Sequence, residues 1–191
     1  KISYMNMAAD LNAKAKNYAE QLNWLKQMTA LKKDISNRDY FFLADAALRA
    51  KKYDEAMIIG DQYIAKYPDQ LFGYRAKANA AIALDIDSTK GTALPAIQQY
   101  IDFLSKDSVK NAKLIKSQLY YVAVYYADTI KDFPKALEVV DKILIIDPED
   151  SFAIPAKEQL LKALTKPSAP SKTTRQTPQP AGPRQGGPTK K

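Results

Sequence analysis

The chain has 191 residues, 46% of them hydrophobic, and its 29 Lys/Arg against 21 Asp/Glu give a formal net charge of +8. It contains no cysteine and no histidine, which excludes disulfides, zinc-thiolate sites, cysteine nucleophiles and histidine general bases. No apolar run approaches the ~18 residues that cross a bilayer, and the length allows one domain or one solenoid with a tail.

Residues 1–34 read as two amphipathic helices. The first is predicted over 3–16 with Met5, Ala8 and Ala9 inward, the second over 18–32 with Leu22, Leu25 and Met28 inward. Trp24 lies one residue off that stripe and reads as a cover over a terminal hydrophobic layer. Residues 37–70 form the clearest unit. A helix over 39–50 places Tyr40, Leu43, Ala44 and Ala47 on one face at i, i+3, i+4, i+7 spacing. Lys51 and Lys52 make a polar break. A second helix over 53–66 turns Tyr53, Ala56, Ile59, Gly60 and Tyr63 inward, and Pro68 ends it.

Residues 71–116 repeat this plan with additions. A helix is predicted over 72–84, then an enlarged loop over 85–92, with Thr92 as N-cap and Pro95 in the first turn of the next helix. Asp85, Asp87 and Thr89 alternate as in a calcium loop, but Lys90 and Ala96 stand where such a loop needs glycine and glutamate. A solvated loop is the better reading. STKGT is not a phosphate loop either. Residues 117–150 give a further helix pair. Residues 151–165 give a last helix whose Ile154, Leu160, Leu161 and Leu164 would cover the open end of the stack.

From Lys166 the composition changes. Residues 166–191 hold six of the 11 prolines, no aromatic, Ile, Leu or Val, and six Lys/Arg with no acid. Such a segment buries too little apolar surface to offset its ordering entropy, so a disordered basic tail is expected. Of the +8 total it carries +6, leaving +2 for the rest.

The units are copies. A shift of 34 carries Tyr40, Ala44 and Ala47 onto Tyr74, Ala78 and Ala81. A shift of 80 carries Tyr40, Ala47, Tyr53, Ala56 and Pro68 onto Tyr120, Ala127, Phe133, Ala136 and Pro148. Small residues let paired helices approach, aromatics fill the space between pairs, and one pair cannot bury its apolar face alone. On these residues the chain resembles the tetratricopeptide repeat (TPR) family, whose 34-residue helix-turn-helix carries this pattern. Gly60 and Val140 depart from it where an aromatic is usual, and Tyr63 and Ile143 where alanine is usual. These departures imply a looser second helix in each unit.

The resemblance implies an all-α, right-handed α-α superhelix with a C-terminal capping helix. The expected division is a solenoid over 1–165 with repeats at 2–36, 37–70, 71–116 and 117–150, a cap at 151–165, and the tail at 166–191. It also implies non-catalytic protein binding. The first helices of the repeats would line a concave groove for a partner peptide or helix. By register, the groove residues are Phe41, Asp45, Leu48 and Arg49, then Phe72, Arg75, Asn79 and Ile82, then Gln118, Tyr121, Tyr125 and Asp128. Phe41, Phe72, Tyr121 and Tyr125 are the candidate hot spots. Arg75 and Asn79 resemble the first pair of a carboxylate clamp found in some members, but Tyr121, Val122 and Tyr125 do not complete it.

Asp54, Glu55, Glu138 and Asp141 scatter along helix exteriors. No converging acid, base or nucleophile is therefore expected, nor any cofactor or metal. The tail supports an alternative function as an electrostatic tether to an anionic surface or acidic partner. Its sparse charges without aromatics do not favour nucleic acid. Self-association through the N-terminal edge is a third reading. The style of the repeats is similar to bacterial cell-envelope TPR proteins, which points to periplasm or envelope, with cytoplasm also open. Because the chain starts at Lys1, a processed form or fragment is expected, with any signal or anchor already removed.

Overall fold

The computed structural model describes residues 1–85 and 90–165. The tail expected to be disordered lies outside the described residues, as do Asp87 and Thr89. The described residues form α1 (Ile2–Lys14), α2 (Tyr18–Ala30), α3 (Asn37–Arg49), α4 (Tyr53–Lys66), α5 (Leu71–Leu84), α6 (Leu94–Leu104), α7 (Ser108–Val124), α8 (Phe133–Ile146) and α9 (Ala153–Thr165). A 3-10 turn at Ser105–Asp107 leads into α7, and a π-helical stretch at Tyr125–Ile130 prolongs it. No strand occurs among the described residues. Each helix packs against the next, an all-α solenoid. None of these helices is long and apolar enough to cross a membrane.

Three of the tight turns use one device. Lys16, Lys51 and Lys131 adopt left-handed backbone conformations at φ 58°, 57° and 59°. In the first two turns the next N–H reaches back five residues, Asn17 to Asn12 O at 2.8 Å and Lys52 to Ala47 O at 2.9 Å. In the third, Asp132 N–H reaches back six, to Tyr126 O at 2.9 Å. The π-helical stretch accounts for the extra residue, because its wider turns hold more residues per turn.

The core forms two clusters that meet at α5. One holds Leu22, Leu25, Met28, Tyr40, Ala44, Ala56 and Tyr63, together with Ala76 and Ala80 of α5. The other holds Ala78 and Ala81 of α5 with Ile97, Tyr100, Leu104, Leu119, Val140 and Ile143. Gly60 and Tyr63 do not loosen α4. A Cβ at Gly60 would come 2.9 Å from the Lys77 Cβ, so glycine lets α5 lie directly against α4. The large side chain has moved one turn along. Tyr63 is buried and stacks on Tyr40 with ring centroids 5.4 Å apart.

Three expectations are corrected. The N-cap of α6 is Ala93 rather than Thr92, because a turn at Gly91 (φ 65°) sends the Leu94 N–H to Gly91 O at 3.2 Å. Asp85 is buried rather than solvated. On α9, only Leu160 of the four expected apolar residues is buried; Ile154, Leu161 and Leu164 stay 42–44% exposed, because no helix follows to cover that face among the described residues. Trp24 is half-buried and meets the Tyr4 ring edge-on at 5.8 Å.

Candidate functional site

The outward surface of α3 and α5 starts from a well-defined helix end. The Ser36 hydroxyl accepts from Asp39 N–H at 3.3 Å while Ser36 N–H donates to the Asp39 carboxylate at 2.9 Å. This reciprocal box satisfies two otherwise unpaired donors and fixes the first turn. Lys32 adds an ion pair to the same carboxylate at 2.6 Å. Burial alone would push the Asp39 carboxyl up, but the bonds from Lys32 and Ser36 outweigh it and hold it below the ordinary carboxylate range.

Beyond this cap, side chains from α3 and α5 form a continuous ladder. The Arg38 guanidinium lies over the Phe42 ring at 5.3 Å. Phe42 meets Phe41 edge-on at 5.4 Å, and Phe41 meets Phe72 at 4.4 Å. The Arg75 guanidinium closes the series over Phe72 at 4.6 Å. Cations over ring faces are attracted by the ring quadrupole, so both arginines, exposed as residues, rest against apolar surface. Phe41 is 37% exposed at the middle of the ladder. Asn79 is exposed on α5, one turn beyond Arg75.

Asp45 and Arg49 form a separate pair at 2.8 Å, and the Arg49 guanidinium lies over Tyr18 of α2 at 5.3 Å. A cleft of about 390 Å³ between α1 and α3 opens beside the ladder, lined by Ser3, Asn6, Lys32, Arg38 and Phe42 among others.

Tyr121 and Tyr125 belong to a different constellation. The Tyr121 hydroxyl donates to the Asp85 carboxylate at 3.3 Å. That carboxylate also accepts Lys90 N–H at 3.2 Å. Burial pushes the Asp85 carboxyl up; hydrogen bonds from Lys90, Tyr121, Ala93 and Thr92 prevail and keep it low. Tyr125 is 6% exposed. Its hydroxyl sits over Gly91, where a Cβ would come within 2.0 Å of it. Tyr125 therefore does not line an open groove, because Gly91 lies against its hydroxyl and the ring is buried. Among the described residues the α3–α5 side has no such cover, and those two helices pack directly, whereas no comparable packing joins α5 to α7.

One polar network could be mistaken for a reactive site. Lys116 pairs with Asp147 at 2.6 Å and Asp150 at 2.9 Å, and the Tyr120 hydroxyl donates to Asp150. The other Asp150 oxygen accepts the N–H groups of Phe152 and Ala153 at 3.1 and 2.9 Å. These groups are engaged in capping α9, bracing the turn after α8 and fastening both to α7.

No protein-family model matches the sequence, and no curated protein matches it. Solved structures do match. The C-terminal part of a TPR repeat-containing protein from Cytophaga hutchinsonii aligns with a TM-score of 0.70 at 21% identity, over 81% of this chain and 60% of that one. The chain thus spans less than two thirds of that structure's length. MamA AMB-1 aligns with a TM-score of 0.58 at 15% identity, over 85% of this chain and 82% of that one. MamA from Desulfovibrio magneticus RS-1 gives 0.56 at 15% identity, over 86% and 91%. The chain folds as a tetratricopeptide-repeat solenoid.

Register alone finds Phe41, Phe72 and Arg75, and the structure brings them together. It separates them from the Tyr121 and Tyr125 cluster and leaves Asp45 and Arg49 paired with each other. Arg38 and Phe42 were missed. Their signal was present at i and i+4 on α3, but Phe42 also fits an inward reading, and only the position of α1 decides between the two.

Proposed function

We propose that this TPR solenoid is a non-catalytic scaffold that holds a partner segment against the first helices of its repeats. The repeat division that goes with this reading is four helix pairs, α1–α2 to α7–α8, with α9 as cap. The observation that carries it is the Phe41–Phe72 contact, an aromatic pair left at the surface between α3 and α5. Aromatic side chains offer large contact area at low entropic cost, and this pair is already ordered by its neighbours. The seat is on α3 and α5, and Tyr121 and Tyr125 serve the fold instead.

The test is affinity capture from a native lysate with the full chain, the chain ending at Thr165, and full-length Phe41→Ala. The scaffold reading expects one protein to be recovered by the first two and lost with the third. Recovery by the full chain alone, abolished at high salt, would move function to the basic tail and make the solenoid a spacer.

A further inference from the structure

We infer that the ladder on α3 and α5 docks an acidic segment carrying an apolar or aromatic anchor. This rests on the scaffold reading above and adds the chemistry of the partner. The anchor seats on Phe41, and acidic side chains on either side meet Arg38 and Arg75.

Four observations point this way. The ladder ends in a cation on both sides, and neither Arg38 nor Arg75 has an ion-pair partner among the described residues. Neighbouring basic groups are engaged, Lys32 with Asp39, Arg49 with Asp45 and Lys77 with Asp61. The nearby acids are likewise consumed, so no internal carboxylate neutralises the two guanidiniums. Each guanidinium is held on a ring face, which lowers the entropic cost of engaging a carboxylate in the fork geometry that arginine favours. The cleft beside Arg38 and Phe42 adds the hydroxyl of Ser3 and the amide of Asn6, and the one acid in its lining, Asp39, is already paired with Lys32.

Other occupants fit less well. The chain's own tail carries six basic residues and no acid, so its charge does not complement the arginines of the ladder. Single-stranded nucleic acid needs open ring faces for successive bases. Here Phe42 and Phe72 are half-buried, and their faces already carry the arginines. The same tail would reinforce capture of an acidic partner, since its charge is of the right sign.

The test is fluorescence anisotropy on the full chain with short labelled peptides that have a central phenylalanine flanked by glutamates, by glutamines or by lysines, and with an oligothymidylate. The glutamate peptide is expected to bind best, the glutamine peptide about tenfold more weakly, and the lysine peptide not at all. Arg38→Gln and Arg75→Gln should each weaken the glutamate peptide by about fivefold, as for partly exposed charge pairs. Both variants should leave the glutamine peptide unchanged, which a merely structural effect would not. Equal binding of all three peptides with loss in Phe41→Ala would overturn the acidic preference and leave the scaffold reading standing. Glutamate-peptide binding that ignores Phe41→Ala and both arginine variants would place the contact on the tail and overturn both readings. Arginine-dependent binding of the oligothymidylate above that of the glutamate peptide, or no peptide binding at all, would also overturn the inference.

Discussion

Replacing Asp150 by alanine removes one carboxylate that serves α7 and α9 at once. Asp150 is 5% exposed. Its first oxygen caps α9 through Phe152 and Ala153, a role for which loss typically costs about 1 kcal/mol. Its second oxygen takes Lys116 and Tyr120. Charged hydrogen bonds of this kind are worth about 1.5–3 kcal/mol, but Lys116 keeps Asp147 at 2.6 Å and so is not orphaned. The expected total for Asp150→Ala is therefore about 2–3 kcal/mol, with Asp150→Asn about 1 kcal/mol milder because it keeps an acceptor for the backbone. Urea unfolding followed by circular dichroism at neutral pH measures both. Hydrogen bonds from Tyr120 and Lys116, with the two N–H groups, hold the Asp150 carboxyl well below its ordinary range. A depressed folded value stabilises fully above the unfolded value of about 4 and is lost as pH falls through the folded one. The gap between wild type and Asp150→Asn should therefore narrow as pH drops below about 4. An Asp150→Ala chain within about 0.5 kcal/mol of wild type, the range of ordinary surface changes, would refute the reasoning.

Two further outcomes are expected. Lys51→Gly relieves a left-handed backbone position at φ 57° and should stabilise by about 0.5–1 kcal/mol after the added unfolded-state entropy; thermal melts of Lys51→Gly and Lys131→Gly check it, and a loss of stability in both would contradict it. Gly91→Ala combines a φ of 65° with a Cβ 2.0 Å from the Tyr125 hydroxyl, and should cost about 2 kcal/mol or more; tyrosine near-ultraviolet circular dichroism should change with it, because Tyr125 must move.

Much of the fold was legible because its signals are local. Tyr53 and Pro68 bracket α4, which runs Tyr53–Lys66 as predicted. The predicted start of α3 at residue 39 came late, because Ser36 caps it from outside the hydrophobic stripe. Asp85, the first residue of the enlarged loop, was misread for a different reason. Asp85 looks like any loop aspartate until Tyr121, 36 residues away, supplies a partner. Tyr125 sits at a groove position by register, yet its exposure depends on what Gly91 does. Arg75 was found by register and Arg38 was not, and their common role emerges only once Phe41, Phe42 and Phe72 are seen in contact.

The alanine-built α5 has a consequence for how the chain comes apart. Its Ala76 and Ala80 belong to one core cluster and its Ala78 and Ala81 to the other. A methyl group transmits little free energy, so damage on one side of α5 is weakly felt on the other. Stability in a solenoid is a sum of unit and nearest-neighbour contributions, and here the two core clusters share no fully buried residue, meeting through the alanines of α5 and through Met57, which packs against both. The two halves can therefore lose structure separately, and a change near Asp150 leaves the arginines and phenylalanines of α3 and α5 in place.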